Sequence, residues 1–280
     1  MVLNEPFARR RAVEPHGRRD LDVFVNSLRS RSPFTFVRFS DGEMEILRRE
    51  RLVLGPEGVT WSKGKSSFVY PVFDHKDFDP DRDKAFHAAL VGSATRRAPR
   101  YFKGIPTRHN RALADRNYMV ELNGGDLENL TFSDLLINGN FKRFRSEVLH
   151  EFMQFETVAV VGNFRMRPTF INQNWALIPI QDGLIGHFPS CLDEALEKIK
   201  ELPLGSLVLS SASSLTNILG HELVELRPDL FFIDIGTSLH DLMGMPSGIR
   251  SYQVQLLPWK FSNLKERVAY YLGGSHRLRW

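Results

Sequence analysis

The sequence predicts an α/β protein with a mainly parallel, Rossmann-like sheet flanked by helices, and three observations predict it. Short apolar runs bounded by Gly, Ser, Asp or Pro recur at 157–161 (TVAVV), 207–210 (LVLS) and 230–234 (LFFID), as in strands buried on both faces. Between them apolar residues return at the spacing of one helix face, at Leu192, Ala195, Leu196 and Ile199 and again at Leu215, Ile218, Leu219, Leu223 and Leu226. Strands alternating with helices imply parallel pairing through right-handed crossovers.

Taken in order, residues 1–20 form a basic arm holding Arg9, Arg10, Arg11, Arg18 and Arg19. Such an arm reads first as a solvated tail, with peripheral contact to an acidic membrane surface or to nucleic acid as the lesser alternative. The remainder, 21–280, reads as one α/β domain with a front half (21–155) and a Rossmann-like rear half (156–280). In the front half 21–28 reads as a helix, 34–39 as a strand, 42–49 and 83–97 as helices, and 101–105 as a strand. The stretch 123–140, with GG, NG and several Asn and Asp residues, reads as a long irregular excursion over the surface. In the rear half 175–180 is a weaker fourth strand.

Composition narrows the class without choosing a function. Hydrophobic residues are 42% and charged residues 25% of 280, proportions of an ordinary globular protein rather than a disordered or fibrous one. Lys and Arg number 37 against 33 Asp and Glu, an excess too small to select among anionic partners. Cys191 has no partner for an internal disulfide and reads as a buried small hydrophobe. With no apolar run long enough to span a bilayer and no apolar core of a secretory signal, a cytoplasmic location is expected.

The chemistry concentrates at Phe34 to Glu43 (FTFVRFSDGE). The apolar strand runs straight into Ser40-Asp41-Gly42-Glu43, which places two carboxylates at the carboxyl end of a strand, where open α/β sheets bind ligands. An Asp-x-Glu pair supplies hard oxygens for a divalent ion bridging two phosphates. The same residues also spell a helix cap, with Ser40 as N-cap and Glu43 three residues on completing a capping box. Ser210 to Ser214 (SSASS) leads from a strand into a helix, so Ser211, Ser213 and Ser214 either hold a phosphate or cap the helix. Gly162-Asn163 after a buried strand permits close ligand approach and is also an ordinary turn. Asp234, His240 and Asp241 cluster after a strand end and are candidates for activating an acceptor.

Other signals lead away from familiar sites. Trp61 to Ser67 (WSKGKSS) lacks the glycine spacing of a phosphate-binding loop, leaving Lys63 and Lys65 as loop cations. His75, His87, His109 and His187 show no zinc spacing, and G-x-S-x-G is absent. Arg96, Arg97, Arg100, Lys103, Arg108, Arg111 and Arg116, with Tyr101 and Phe102 among them, compose a nucleic-acid reading that is set below the others.

The longer string FVRFSDGE resembles the R-[FY]-G-D-G-E signature of the GT-D type glycosyltransferases, a bacterial family. Arg38, Phe39, Asp41, Gly42 and Glu43 match, and Ser40 stands where that family has Gly. VAVVGNF (158–164) and FFIDIGTSLHD (231–241) resemble the family's V-G-N-F and I-D-[IV]-G-S-A-L-D segments in the same order, with Thr237, Ser238 and His240 as departures. The resemblance implies a GT-D fold and transfer of a sugar from a nucleoside diphosphate sugar, a UDP-sugar favoured, to a glycan, glycoprotein or lipid-linked acceptor. It further implies Mn²⁺ or Mg²⁺ on Asp41 and Glu43, with Arg38 and Gly42 beside the bound nucleotide and no nucleic-acid partner. A non-catalytic nucleotide-sugar binding protein of the same fold is the alternative.

Overall fold

The computed structural model describes residues 18–61, 64–66, 72–106, 112–245 and 253. Helix α1 (Arg18–Arg29) precedes strand β1 (Thr35–Arg38), helix α2 (Asp41–Leu47) and four short strands, β2 (Leu52–Gly55), β3 (Gly58–Trp61), β4 (Gly64–Ser66) and β5 (Lys76–Phe78). Helix α3 (Lys84–Thr95), β6 (Tyr101–Ile105), α4 (Ala112–Leu122) and β7 (Leu130–Phe132) complete the first part of the sheet. A helical stretch over 141–152, π-type at Phe144–Val148, leads to β8 (Val158–Asn163) and β9 (Trp175–Ile180). Helix α5 (Ser190–Lys200), β10 (Leu207–Ser211), α6 (Ser214–Leu226) and β11 (Phe231–Asp234) follow.

Seven strands form one sheet in the order β7-β6-β1-β11-β10-β8-β9, and every pairing in it is parallel. The expected fold class is therefore the observed one. Strands from before and after residue 155 share the sheet, since β1 lies between β6 and β11. Burial of both faces explains why the central strands are apolar up to their carboxyl ends. Phe34, Phe36, Val158, Val160, Leu207, Leu209, Phe231 and Ile233 enter one core; Val37, Phe39, Ala159, Val161, Val208 and Phe232 enter the other. Helix α1 buries Leu21, Phe24, Val25 and Leu28, one stripe at i, i+3, i+4 and i+7, on the first of these faces. Leu90 of α3, Met119 of α4, Leu196 of α5 and Ile218 of α6 cover the second.

Two stretches differ from the sequence expectation. Residues 130–136 are buried rather than carried over the surface, and β7 within them pairs with β6. The Asn side chains that suggested a surface loop satisfy its backbone instead: Asn123 donates to the Asp126 and Glu128 carbonyls, and Asn129 to that of Ala98. The region 52–78, which has no marked pattern, forms a second, antiparallel sheet in the order β4-β3-β2-β5. Lys65 lies in β4 and is exposed. Residues 1–17, Lys63, Arg108, His109 and Arg111 lie outside the described residues. No helix among the described residues is long and apolar enough to cross a membrane.

Among the described residues of the string from Arg96 to Arg116, Tyr101 and Phe102 are not free to stack on nucleic acid. Tyr101 is buried with its hydroxyl 2.7 Å from that of Ser93, and Phe102 packs against Phe24 and Phe34. Arg96 pairs with Glu225 and Arg97 with Asp126. Lys103 is inside, its Nζ donating to the carbonyls of Ala94 (2.7 Å) and Arg96 (2.9 Å) at the C-terminal end of α3. Two carbonyls match the two N–H bonds of a neutral amine. Burial, with the neighbouring Arg97, pulls the Lys103 amine down to about 7. The unfolded chain keeps that proton up to the ordinary lysine value, so stability is expected to rise as pH climbs from about 7 toward 10, by up to about 1.4 kcal/mol per unit. Lys103→Met should flatten this rise in chemical denaturation series; an equally steep rise in the variant would place its origin elsewhere.

Candidate functional site

The carboxyl ends of β1, β11, β10 and β8 deliver the sequence-predicted residues to one edge of the sheet, outside which α/β proteins bind ligands. Arg38, the last residue of β1, lies on the carboxylate of Asp234, the last residue of β11. Its backbone N–H is 3.2 Å from Asp234 Oδ2, and its Nε is 3.1 Å from Oδ1, an ion pair set off the line of a hydrogen bond. Arg38 Nη1 donates to the Ser133 carbonyl beyond β7 (3.2 Å), and Asn217 of α6 donates to the Arg38 carbonyl (2.8 Å). The guanidinium passes over Gly236, where φ is +47° and a Cβ would fall within 1.9 Å of Arg38 Nη2. Gly236 is thus required twice, by its backbone angle and by the space. Burial pushes the Asp234 carboxyl up, more than Arg38 and the Gly236 N–H pull it down. Arg38 therefore clamps three strand ends together.

Ser40 has φ −105° and ψ −171°, extended backbone that needs no glycine, and Asp41 opens α2 directly behind it. Residues two apart on a helix are rotated by about 200°, so Asp41 faces solvent while Glu43 turns inward and is 7% exposed. Glu43 Oε2 accepts the Ser40 N–H (3.1 Å), half of a capping box. Its Oε1 accepts from the Ser214 hydroxyl (2.7 Å) and from Lys76 Nζ (3.2 Å). Burial pushes the Glu43 carboxyl up, but Lys76, Ser214 and Ser40 outweigh it and hold it below its ordinary value. The Asp-x-Glu pair does not fit one divalent ion in this arrangement. Asp41 is exposed and Glu43 buried, both act on the Lys76 ammonium together with Asp74, and the inner carboxylate already holds that ammonium and two further donors. Among the described residues no group of three or more His, Cys, Asp or Glu is set to hold a metal.

The remaining predicted residues divide by environment. Ser211 Oγ lies 2.6 Å from the Gly236 carbonyl and 2.8 Å from His240 Nε2. A carbonyl cannot donate, so the Ser211 proton goes to Gly236, and His240 Nε2 carries the proton it gives to Ser211. That nitrogen is a donor holding the β10 and β11 ends together, not a base. The His240 ring also meets Phe73 edge-on at 5.4 Å. Asp241 is turned to Arg145 (2.8 Å) and accepts from Gln253 (3.0 Å), tying the π-helical segment to the turn after β11; burial pushes its carboxyl up against the pull of Arg145. Asn163 gives its amide to Asp182 (2.7 Å) and its carbonyl oxygen to Arg165. A Cβ on Gly162 would lie 2.5 Å from Met166 Sδ, so packing against Met166 accounts for that glycine. Cys191 is buried, its thiol pushed up by burial.

Ser213 has φ +52° and ψ −142°, a conformation L-residues rarely adopt, and sits half-buried in the turn from β10 to α6. Such strain costs about 1–3 kcal/mol. Ser213→Gly is expected to raise stability by roughly 1 kcal/mol, read as a higher urea midpoint; no gain would mean that the serine side chain compensates in place.

Sequence reasoning missed Lys76 of β5. Its only local signal is an alternation three residues long, Lys76-Asp77-Phe78, with Phe78 fully buried and Asp77 exposed between Arg51 and Arg82. Lys76 shares the inward face with Phe78, and β5 is pinned to β2 by the pairs Lys76↔Leu54 and Leu52↔Phe78. Gly42 leaves room for the ammonium, since a Cβ there would stand 3.1 Å from Lys76 Nζ.

No family model and no curated protein matches the sequence. The chain has an α/β fold with a mainly parallel sheet, and solved structures share it. In particular the fold is similar to that of domain of unknown function 1792. The chain matches a selenomethionine-substituted structure of that domain with TM-score 0.51 and 11% identity, over 91% of this chain and 88% of the other. A second structure, described as showing that the highly conserved domain of unknown function 1792 has a distinct glycosyltransferase fold, aligns over the same shares with TM-score 0.49 and 10% identity. At these identities the likeness is one of fold.

Proposed function

We propose that this protein is a glycosyltransferase that binds a nucleoside diphosphate sugar, a UDP-sugar first among them, at the carboxyl edge of the sheet. The sugar passes to a hydroxyl of a glycan, glycoprotein or lipid-linked acceptor. The observation that carries this reading is the convergence of Arg38–Asp234 with Lys76–Glu43–Ser214 at the ends of β1, β11 and β10, on a glycosyltransferase-type fold. In the reaction the acceptor oxygen forms a bond to the anomeric carbon as the bond to the diphosphate breaks, and the diphosphate departs with the electron pair. The acceptor proton needs a base. Asp41 is the motif carboxylate that faces solvent, whereas Asp234 and Asp241 are committed to arginines, and Asp41 is assigned that role.

A thermal-shift screen with nucleoside diphosphate sugars, followed by a donor hydrolysis assay, tests the proposal. One nucleotide class should raise the unfolding temperature and be hydrolysed slowly without acceptor; a panel that neither binds nor turns over would sink the reading. The second reading, a nucleotide-sugar binding protein, is favoured by the engagement of Glu43 and of His240 Nε2 in internal hydrogen bonds. Binding without hydrolysis or transfer would select it.

A further inference from the structure

We propose that Lys76 is the cation that receives the donor's diphosphate, standing where a metal-dependent enzyme of this kind would place a divalent ion. The inference rests on the glycosyltransferase reading above. Four features of the site support it. The ammonium is fixed in place, because Glu43 Oε1 holds it at 3.2 Å while Ser214 and Ser40 hold Glu43. The backbone behind it is equally fixed, since β5 is anchored by buried Phe78 and paired with β2. Lys76 carries three N–H donors, and Glu43 is the one hydrogen-bond acceptor its Nζ meets among the described residues. Asp74 and Asp41 also lie within electrostatic reach of Nζ, so an incoming diphosphate competes with them for its two remaining donors. Finally, Gly42 gives Nζ its place against α2, since a Cβ there would stand 3.1 Å from it.

The carboxylates argue the same way. Glu43 spends its oxygens on Lys76, Ser214 and Ser40, so a doubly charged ion brought to it would meet an ammonium already in contact. A lysine binds phosphate as a point charge and needs no coordination shell from its neighbours. As the diphosphate leaves, the fixed charge of Lys76 would stabilise the negative charge that develops on it, with no solvent reorganisation at that moment. Lys76 is thus assigned contact with the leaving group, and Glu43 and Ser214 the positioning of Lys76.

Calorimetric titration of the full chain with a panel of nucleoside diphosphates (UDP, GDP, ADP, dTDP) provides the test, run once in EDTA and once in Mn²⁺. Wild type is expected to bind one of them in EDTA, with an affinity that Mn²⁺ changes by less than about threefold. Lys76→Met should weaken binding at least about tenfold, and Lys76→Arg should recover much of it. Circular dichroism of each variant reports whether it is folded, and the EDTA titration of wild type needs no variant. Binding that appears only with Mn²⁺, or a folded Lys76→Met that binds like wild type, overturns the lysine assignment and leaves the glycosyltransferase reading standing. Failure to bind any nucleotide in either condition overturns both.

Discussion

Asp234→Ala is expected to cost about 3–5 kcal/mol of folding stability, the range for removing one partner of a buried ion pair. Its side chain is 7% exposed and that of Arg38 11%, so the guanidinium left behind cannot turn to water without leaving the β1 end. The Arg38 and Gly236 N–H groups lose their acceptor at the same time. Replacing both partners together, Arg38→Met with Asp234→Leu, should recover part of the loss, because no unpaired charge then remains buried. Urea denaturation of the two single variants and the double variant measures this. A single-variant cost below about 1 kcal/mol would show the pair to be as weak as a surface one.

Phe24→Ala is expected to cost a similar amount, about 3–5 kcal/mol, through a cavity rather than a charge. Phe24 is 2% exposed, and its ring lies 4.6 Å from that of Phe34 and 5.0 Å from those of Phe36 and Phe102. It is the contact through which α1 closes one face of the sheet over β1 and β6. Phe24→Leu, which keeps most of the volume, should cost less than about 1.5 kcal/mol. Thermal unfolding distinguishes the two; equal losses would mean that ring geometry rather than filled space holds α1 in place.

The legible parts of the fold were those whose signal is local. The strands at 158–163, 207–211 and 231–234 are buried on both faces and therefore apolar up to their carboxyl ends, and α1 repeats one stripe over two turns. Strand β9 was fainter because it lies at the sheet edge, where only Trp175, Ile178 and Ile180 are buried. The antiparallel sheet over 52–78 was invisible because its strands are three or four residues long, too short for any period to show. In the site, the motif put Arg38, Asp41 and Glu43 at the carboxyl end of β1, where the structure has them. What it could not give was the direction of each carboxylate. Glu43 is turned by Lys76, 33 residues away, and by Ser214, 171 residues away, and no local spacing encodes partners at that separation. The two interpretations of Ser40 and Glu43 were open for the same reason, and the capping geometry is the one formed.

The position of β1 bears on how the chain is made. One of its edges meets β6 soon after it is synthesised, but the other waits for β11, and the Arg38–Asp234 contact joins residues 196 apart. While the ribosome adds the intervening residues, an apolar strand edge stands unpaired, the kind of surface that recruits other nascent chains. Closure of the sheet and completion of its carboxyl edge are then the same late event, so a chain released before residue 231 would have neither.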